Sequence, residues 1–480
     1  MTDLKLFNSL TREIEPFVPV HEGEARVYTC GPTVYNYPHI GNMRAYVFAD
    51  VLGRTLSYKG YKLTHIINIT DVGHLTDDAD EGEDKMEKMA AEKAQSIWDI
   101  AQHYTEAYWA DVKALNIRQP AKWSVATDYI DEMIEFAKSI ADKHCYELES
   151  GLYFDVSTVA DYGRLARAVT EDGEGRIESV EGKRNAADFA IWRKTPAGEK
   201  RQMEWDSPWG KGAPGWHLEC SVMGEKLLGF PFDIHTGGID HREIHHPNEI
   251  AQNQAFCGCG SLDVATHSGA KIWMHNNFLV ERSGKMSKSS GEFLRLQLLV
   301  DKGYHPLAYR MMCLQAHYRS ELEFSWDGLE AALTRLKRMV MAAGRLSDAP
   351  SQPLAQHPKF AETLAKFDAA ISDDLSTPIA LTALEDALAV KKVDAGIKRA
   401  VVEHMDAVLG LGLFDLTRKE LRIRPKTAAI TAEEIEDALT RRNAARAEKD
   451  FATSDAIRDE LAAKGVEVMD GDPLGWEWKL

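Results

Sequence analysis

Four side chains that could bind a metal ion come from two distant parts of the sequence. Cys30 ends a strand-like run that starts at Ala25, and Cys220 lies in a much later helical pattern. His245 and Glu249 are spaced i, i+4, so a helix would place them on one face about 5–6 Å apart at Cβ. Thiolate, imidazole and carboxylate are the ligands that zinc takes in proteins. Spacing alone leaves alternatives open, because His246 is an equal candidate and free cysteines are often simply buried.

A strand-helix-strand unit must position Cys30. Residues 25–30 and 63–70 are strand-like, and a helical pattern runs between them from Met43 to Lys59 and stops at Gly60. Such a unit places two parallel strands side by side, with a ligand at their carboxyl ends. His39 lies in the loop at that end. The alternative is that His39 is an ordinary loop histidine with satisfied hydrogen bonds.

The same pattern returns later in the chain. A helix is predicted over 215–228, strands over 232–235 and 271–275, a Gly-rich turn over 236–240, and a helix that begins near His245. One α/β sheet is therefore predicted to be split in sequence by an insertion. Residues 170–215 are rich in Gly, Pro, Trp and charge, which favours an irregular insertion. The acidic run at 77–84 is interpreted as a solvated loop before a helix that ends near Leu115.

Composition limits the class of protein. The chain has 480 residues, a net charge of −18 and six cysteines. This length suits two to four domains. So few cysteines predict a reducing cytoplasm rather than a disulfide framework. The acidic balance argues against a protein that coats nucleic acid with a uniformly basic surface, but it allows a local basic track.

Two further cysteines form a rival pair. Cys257 and Cys259 are separated by one glycine in a Gly-rich setting, which predicts an exposed loop. No second Cys or His pair lies at zinc-finger distance. We interpret this pair as structural or incidental.

A polar, basic run, Lys-Met-Ser-Lys-Ser at 285–289, offers two ammonium groups and several hydroxyls to a polyphosphate. An ordinary surface loop is the alternative. Together with His-Ile-Gly-Asn at 39–42, however, the run resembles the paired motif of the class I aminoacyl-tRNA synthetases. Asn42 stands where that family usually has His, and an Asn can still donate a hydrogen bond to a phosphate or ribose.

Within that class the chain resembles the cysteinyl-tRNA synthetase family from about Leu6 to Trp478. The matching runs are Tyr-Thr-Cys-Gly-Pro-Thr-Val-Tyr at 28–35, Asn-Ile-Thr-Asp at 68–71, Pro-Gly-Trp-His-Leu-Glu-Cys at 214–220 and His-His-Pro-Asn-Glu at 245–249. The chain departs from the family pattern at several positions, none of which removes a candidate ligand. These positions are Gly73-His74-Leu75, Thr236, Glu243-Ile244 and Pro247.

The resemblance implies roles for individual residues. Zinc ligands would be Cys30, Cys220, His245 and Glu249. Catalysis would involve His39, Asn42, Lys285 and Lys288, with Lys288 the foremost candidate for a transition-state contact. The ATP-binding residues would be His39, Gly41, Asn42, Gly238, Asp240, Lys285, Ser287 and Lys288. The residues that bind the amino acid would be Cys30, Thr70, Trp216 and Asp240.

The implied reaction is activation of cysteine by ATP with Mg²⁺, followed by transfer to the terminal ribose of tRNA(Cys). Cysteine differs from serine by one atom, and small differences in an apolar pocket are worth only about 1–3 kcal/mol. A zinc ion would instead select the thiolate. A ligase that joins cysteine to a small-molecule amine is the alternative, but relatives of that kind should lack the C-terminal region found here.

The resemblance also implies a monomeric protein with a particular domain order. The fold class is α/β, a Rossmann-type parallel sheet split by an insertion, followed by an all-α bundle and a small anticodon-binding domain. The segments are a first Rossmann half (1–118), a connective insertion (119–210), a second Rossmann half (211–280), a KMSKS-loop region (281–325), a helical bundle (326–416) and an anticodon-binding domain (425–480).

The C-terminal segment carries candidate tRNA contacts. Arg442, Arg446 and Arg458 could contact phosphates, while Trp476 and Trp478 could stack on bases. The alternative is a solvated helical pair with a tryptophan held in its core.

Overall fold

The computed structural model describes residues 2–72, 96–166, 182–281, 284–285, 294–354 and 357–480. The strands are β1 (Lys5–Asn8), β2 (Glu13–Pro16), β3 (Glu24–Thr29), β4 (Lys62–Ile69), β5 (Lys122–Val125), β6 (Cys145–Leu148), β7 (Gly151–Phe154), β8 (Phe189–Lys194), β9 (Gly212–Pro214), β10 (Phe232–Gly238), β11 (Ala270–Asn276), β12 (Leu279–Glu281), β13 (Gly284–Lys285), β14 (Leu322–Glu323), β15 (Val466–Val468) and β16 (Trp476–Trp478). The α-helices are α1 (Ile40–Tyr58), α2 (Ile97–Ala114), α3 (Ile130–His144), α4 (Trp216–Leu228), α5 (His245–Cys257), α6 (Leu296–Asp301), α7 (Pro306–Leu314), α8 (Trp326–Gly344), α9 (Pro358–Ser372), α10 (Thr377–Ala389), α11 (Ala395–Leu409), α12 (Ala432–Ala447) and α13 (Phe451–Ala463).

A parallel sheet with the strand order β11-β10-β3-β4-β5 forms the centre of the molecule. The strands come from two separate parts of the chain, and β10 pairs with β3. The predicted α/β fold with a split parallel sheet is therefore confirmed. Because all five strands run in the same direction, the residues that follow β3, β4, β10 and β11 meet at one edge.

Helices cover both faces of this sheet. Val27 packs with Phe48 and Leu52 of α1 on one face. The next residue, Tyr28, packs with Val222 of α4 on the other. This alternation follows from the two-residue period of a strand, and it explains why β3 and β4 are apolar on both sides.

The chain between β5 and β10 is more regular than predicted. Strands β6, β7, β8 and β9 form an antiparallel sheet, so the prediction of an irregular segment over 170–215 is wrong for β8 and β9. Phe189 and Trp192 are buried in β8, and this burial outweighs the turn-rich composition around them. Strand β5 lies at 122–125 and pairs with β4 of the central sheet. The acidic run at 77–84 and residues 73–75 lie outside the described residues.

The C-terminal part is helical, as predicted. Helices α8 to α11 form a bundle, and α12 and α13 pack with the β15-β16 hairpin around a small separate core. Within the described ranges, no helix combines the length and the apolar composition that crossing a bilayer requires.

A buried ion pair ties the helical bundle to the central sheet domain. The guanidinium of Arg310 is fully buried and donates to Asp50 on α1 at 2.6 Å and to the carbonyl of Leu409 on α11 at 2.8 Å. Arg54 also donates to Asp50 at 2.7 Å. Burial by itself disfavours the charge on Asp50, but Arg310 and Arg54 outweigh it and hold the pKa of Asp50 below its ordinary value. The contact between the helical bundle and the central sheet domain therefore depends on the balance between the buried charges of Asp50 and the two arginines.

We expect Arg310→Met to destabilise the protein by about 3–5 kcal/mol, because it leaves the Asp50 carboxylate and the Leu409 carbonyl buried without this partner. The first transition in urea unfolding, followed by circular dichroism, measures the change. Lys366→Met is the matched control. It removes a solvent-exposed pair with Asp386 and should cost about 1 kcal/mol or less. Equal losses in the two variants would contradict the role of burial.

Candidate metal centre and nucleotide cleft

Two thiols, an imidazole and a carboxylate converge at the carboxyl edge of the central sheet. Ligand atoms of Cys30, Cys220, His245 and Glu249 all lie within 4.8 Å of one another, and all four residues are buried. The two sulfurs are 3.9 Å apart, and His245 Nε2 is 2.9 Å from Glu249 Oε1. The structure therefore brings together the four residues that the sequence singled out.

Three elements position these donors. Cys30 directly follows β3, Cys220 lies in α4, and His245 and Glu249 lie on successive turns of α5. Helix α5 is unusual because most of its polar residues are buried. Pro247 is tolerated because it falls in the first turn, where its missing N–H would have no partner within the helix. A buried helix that is this polar indicates a site rather than a simple core.

The carboxylate of Glu249 carries the charge of this cluster. Burial by itself would keep it neutral, but His235 and His245 hold the pKa of Glu249 at about 2. His235 Nε2 lies 2.8 Å from Glu249 Oε2. Burial likewise opposes a charge on His245, yet Glu249 raises the pKa of His245 to about 10. The carboxylate is thus ionised and held by two imidazoles.

The two thiols differ in their tendency to ionise. The hydrogen bond with Cys30 lowers the pKa of Cys220 to about 6. Burial raises the pKa of Cys30. The pair therefore accepts one negative charge more readily than two, and Cys220 is the favoured thiolate. A cation between the sulfurs would balance that charge together with Glu249.

His246 has contacts that make it a genuine alternative to His245. Its Nε2 lies 3.3 Å from the Cys30 sulfur, and a second group, Cys30, His235, His246 and Glu249, also fits within 4.8 Å. Its Nδ1 lies 2.7 Å from His275. His245 instead points Nδ1 at His217, at 2.8 Å. Both histidines are therefore oriented by a hydrogen bond at their other ring nitrogen, as metal-binding imidazoles usually are.

A cleft of about 390 Å³ opens beside the metal-ligand group. Cys30 is one of the four candidate ligands and also lines the cleft. The other predicted residues in its wall are His39, Gly41, Asn42, Trp216, Gly238 and Asp240. The ring of Trp216 lies 4.2 Å from that of His245, centroid to centroid. The cleft thus places a nucleotide-sized space next to the ligand group.

The amino terminus of α1 forms part of the cleft wall. His39 is the N-cap residue, and its Nδ1 accepts from Gly41 N at 3.1 Å. The side-chain oxygen Oδ1 of Asn42 accepts from His39 N at 3.1 Å, which completes a capping box. Asn42 therefore stabilises the start of α1, which explains how an Asn can occupy the position where the family usually has His. The start of a helix favours anions such as phosphates.

Glycines allow close approach at two points of the cleft. A Cβ at Gly31 would meet the carbonyl oxygen of Asn68 at 1.5 Å, and one at Gly238 would meet Asp240 Oδ1 at 2.4 Å. Asn68 also accepts a hydrogen bond from Gly31 N at 2.7 Å. Asn68 was not among the predicted site residues, although its position in the strand before Thr70 could have suggested it.

Thr70 is buried against α4 and is not among the residues that line the cleft. Its hydroxyl donates to Glu219 at 2.7 Å, and both side chains are buried. Burial raises the pKa of Glu219 well above its ordinary value. Thr70 is therefore held by α4, and its role beside the amino acid stays a prediction.

The predicted pyrophosphate loop is described only at its ends. Lys285 lies in β13, which pairs with β12 next to the cleft residue Leu279. At the other end, the carbonyl of Leu294 accepts from Ile40 N at 2.8 Å. The side chain of Lys285 and the residues Ser287 and Lys288 lie outside the described part of the chain.

Some predicted RNA contacts have structural roles instead. Trp476 and Trp478 are buried in the small C-terminal core, so their side chains are not available for base stacking. This agrees with the alternative of a tryptophan held in the core. Arg442 is also buried and makes two hydrogen bonds to Asp470, at 2.6 and 2.9 Å, which leaves it unsuited to a phosphate.

Arg446 and Arg458 remain at the surface. Arg446 shares Asp470, and Arg458 pairs with Asp455 and Asp459. Phe451, the first residue of α13, is not among the predicted contacts, yet its side chain is 62% exposed. A large aromatic residue close to Lys449 in the sequence was the available signal.

Comparisons with known proteins agree with this arrangement. Residues 16–334 match the family described as tRNA synthetases class I (C) catalytic domain, and residues 431–473 match the Cysteinyl-tRNA ligase anticodon binding domain. A cysteine–tRNA ligase of Novosphingobium aromaticivorans is 77% identical over 99% of this chain and 97% of its own length. One from Zymomonas mobilis is 53% identical over 98% and 97%.

Structural similarity supports the fold alone. A Mycobacterium tuberculosis methionyl-tRNA synthetase bound by methionyl-adenylate superposes with a TM-score of 0.55 at 14% identity, covering 83% of this chain and 92% of the other. The full-length sequence similarity is the stronger finding. The chain belongs to the cysteine–tRNA ligase family of class I tRNA synthetases.

Proposed function

We propose that this enzyme activates L-cysteine with ATP to cysteinyl-adenylate and pyrophosphate, and then transfers cysteine to the 3′-terminal ribose of tRNA(Cys). The observation that carries the proposal is the buried ligand group of Cys30, Cys220, His245 and Glu249 beside a cleft built at the start of α1. The matched C-terminal domain favours tRNA over a small-molecule amine as the acceptor. Aminoacylation of a tRNA(Cys) transcript tests this choice directly.

The four residues fit a zinc ion by their chemistry. Two soft sulfurs, an imidazole and a carboxylate form a zinc donor set, and their buried negative charge needs a positive partner. When bound, zinc would supply affinity for the thiolate of cysteine, which serine and alanine lack. We assign His245 rather than His246 to the set, because His245 lies closer to Glu249, at 2.9 against 3.9 Å.

The cleft residues of the chain bind and orient the other groups. His39, Gly41 and Asn42 present the start of α1 to the phosphates of ATP. Gly238 leaves room for the ribose, and Asp240 accepts from the ribose or from the substrate ammonium. Trp216 covers the amino acid from the side of His245. Positioning and charge stabilisation of this kind dominate such reactions.

Lys285, Ser287 and Lys288 complete the proposed machinery. The two ammonium groups would neutralise charge on the departing pyrophosphate, and Mg²⁺ would enter with ATP. We further propose one zinc ion per chain and a monomeric enzyme that works in the cytoplasm.

The C-terminal domain is proposed to read the tRNA through its surface residues. Arg446 and Arg458 are available to phosphates at the surface, although Arg446 pairs with Asp470, and Arg458 pairs with Asp455 and Asp459. Phe451 is the exposed aromatic residue that can stack on an unpaired base. This assignment replaces Trp476 and Trp478, whose rings are buried.

Cys220→Ser should lose bound zinc and cysteine recognition together, because a hydroxyl is a poor ligand in a soft site. Elemental analysis measures the metal, and cysteine-dependent ATP–pyrophosphate exchange measures activation. We expect kcat/KM for cysteine to fall by more than the roughly 10–100-fold that loss of a residue supporting a ligand costs. Cys145→Ser, in strand β6, is the matched control and should keep both properties. Normal exchange with retained zinc in Cys220→Ser would contradict the ligand assignment.

His245→Ala and His246→Ala separate the two candidate ligand groups. We expect His245→Ala to abolish zinc binding, since it removes a direct ligand. His246→Ala should retain about one zinc per chain and lose at most roughly 10–100-fold in metal affinity. Metal titration with a chromogenic chelator distinguishes them. The reverse ranking would assign the site to Cys30, His235, His246 and Glu249.

Phe451→Ala should weaken tRNA(Cys) binding by about 1–3 kcal/mol, the usual contribution of one base stacked on an aromatic side chain. Filter binding at fixed salt concentration measures the dissociation constant. ATP–pyrophosphate exchange should stay unchanged, because that step does not involve tRNA. Val18→Ala truncates a similarly exposed apolar side chain and serves as the control. Unchanged tRNA affinity in Phe451→Ala would reject the stacking role.

A further inference from the structure

The Cys257–Cys259 pair has no part in the proposed reaction, yet the structure joins the two residues by a disulfide. The other cysteines, Cys30, Cys145, Cys220 and Cys313, are unpaired in it. Cys257 is exposed at the last position of α5, and Cys259 is partly buried just beyond it. An isolated, accessible disulfide of this kind differs from the buried structural disulfides of small secreted domains.

The backbone holds the pair together independently of the sulfurs. Gly258 has φ of +64°, which terminates α5 in a left-handed conformation that glycine adopts without strain. Cys259 N donates to the carbonyl of Gln254 at 3.0 Å, and Gln254 Nε2 donates to the carbonyl of Gly260 at 2.9 Å. The Cα atoms of the two cysteines are 5.2 Å apart, which lies within the range of a disulfide. The loop therefore holds the two Cα atoms at a separation that a disulfide can span.

The end of α5 is also fixed against the inserted helix. Phe256, next to Cys257, stacks on Phe136 of α3 with ring centroids 4.3 Å apart. Glu249 lies eight residues before Cys257 on the same helix, a distance of about 12 Å along its axis. Oxidation and reduction at Cys257 can therefore occur without displacing the metal-ligand group.

We propose that Cys257 and Cys259 form a reversible dithiol–disulfide couple that exchanges with low-molecular-weight disulfides, among them cystine. The Cys257 thiolate attacks one sulfur of R–S–S–R, that S–S bond breaks, and the first thiol leaves with a proton from solvent. Cys259 then attacks the Cys257 sulfur of the mixed disulfide and releases the second thiol. Two protein thiols are oxidised, and one small disulfide is reduced to two thiols.

Exposure decides the order of attack. Cys257 is the accessible sulfur and meets the incoming disulfide, while the partly buried Cys259 resolves the intermediate. Cys30 and Cys220 also face each other, but both are buried beside Glu249, so their sulfurs are less accessible to the same reagent than that of Cys257.

The test uses the full-length, zinc-loaded enzyme in buffers that range from reduced to oxidised glutathione. After acid quenching, free thiols are alkylated and the peptide that contains both cysteines is analysed by mass spectrometry. We expect this peptide to change from two alkyl groups to none in a single two-electron transition. Replacing oxidised glutathione with cystine should release two cysteine molecules per pair oxidised.

Two single variants test the order of attack. Cys259→Ser should accumulate a mixed disulfide on Cys257, whereas Cys257→Ser should react more slowly. Both should retain the thermal stability and the ATP–pyrophosphate exchange of the parent enzyme. The proposal is overturned if excess oxidised glutathione leaves both thiols free, if each cysteine carries its own glutathione without an internal bond, or if cystine releases no cysteine.

Discussion

The buried carboxylate of Glu249 is the constraint on which the site depends. A negative charge in the interior must be balanced, and here His235 and His245 provide that balance on two sides. The sulfurs of Cys30 and Cys220 lie on the remaining side of the Glu249 carboxylate. Negative and polarisable groups are thus concentrated at one point of the buried interior. A cation would balance such an arrangement, and these donors are compatible with zinc.

This balance can exist only because the sheet is assembled from two parts of the chain. Cys30 arrives with β3 from the first part, while Cys220, His245 and Glu249 arrive with the second. Pairing of β3 with β10 brings the two sets to the same edge. The antiparallel sheet of β6 to β9 lies between them in sequence and leaves the central pairing intact.

The same principle of buried charge joins the catalytic sheet to the helical bundle. Arg310 and Asp50 are almost completely inaccessible, and each satisfies additional backbone groups. Arg44 of α1 is likewise buried, near the cleft, and donates to the carbonyls of Asn277, Phe278 and Ser320. The cleft-wall residues Asn277 and Phe278 are therefore held to α1 by polar contacts that are specific in direction.

Errors in the sequence-based predictions share a physical cause. Residue type predicts RNA contacts at Arg442, Trp476 and Trp478. In the folded chain, Asp470 binds Arg442, and the small C-terminal core buries both tryptophans. In each case the deciding partner was remote in sequence or contributed by another element. The exposure of Phe451 could not be predicted either, because exposure is a property of the folded chain.

By itself, the sequence determined the order and type of most elements, the split parallel sheet, the family resemblance and the four candidate ligands. These features follow from local periodicity and from motifs that are written in neighbouring residues. The tertiary structure alone decided which donors converge within 4.8 Å, which charges are buried together and which aromatic residues remain exposed. Those outcomes depend on contacts between residues that are far apart along the chain, where packing and desolvation, rather than local pattern, determine the free energy.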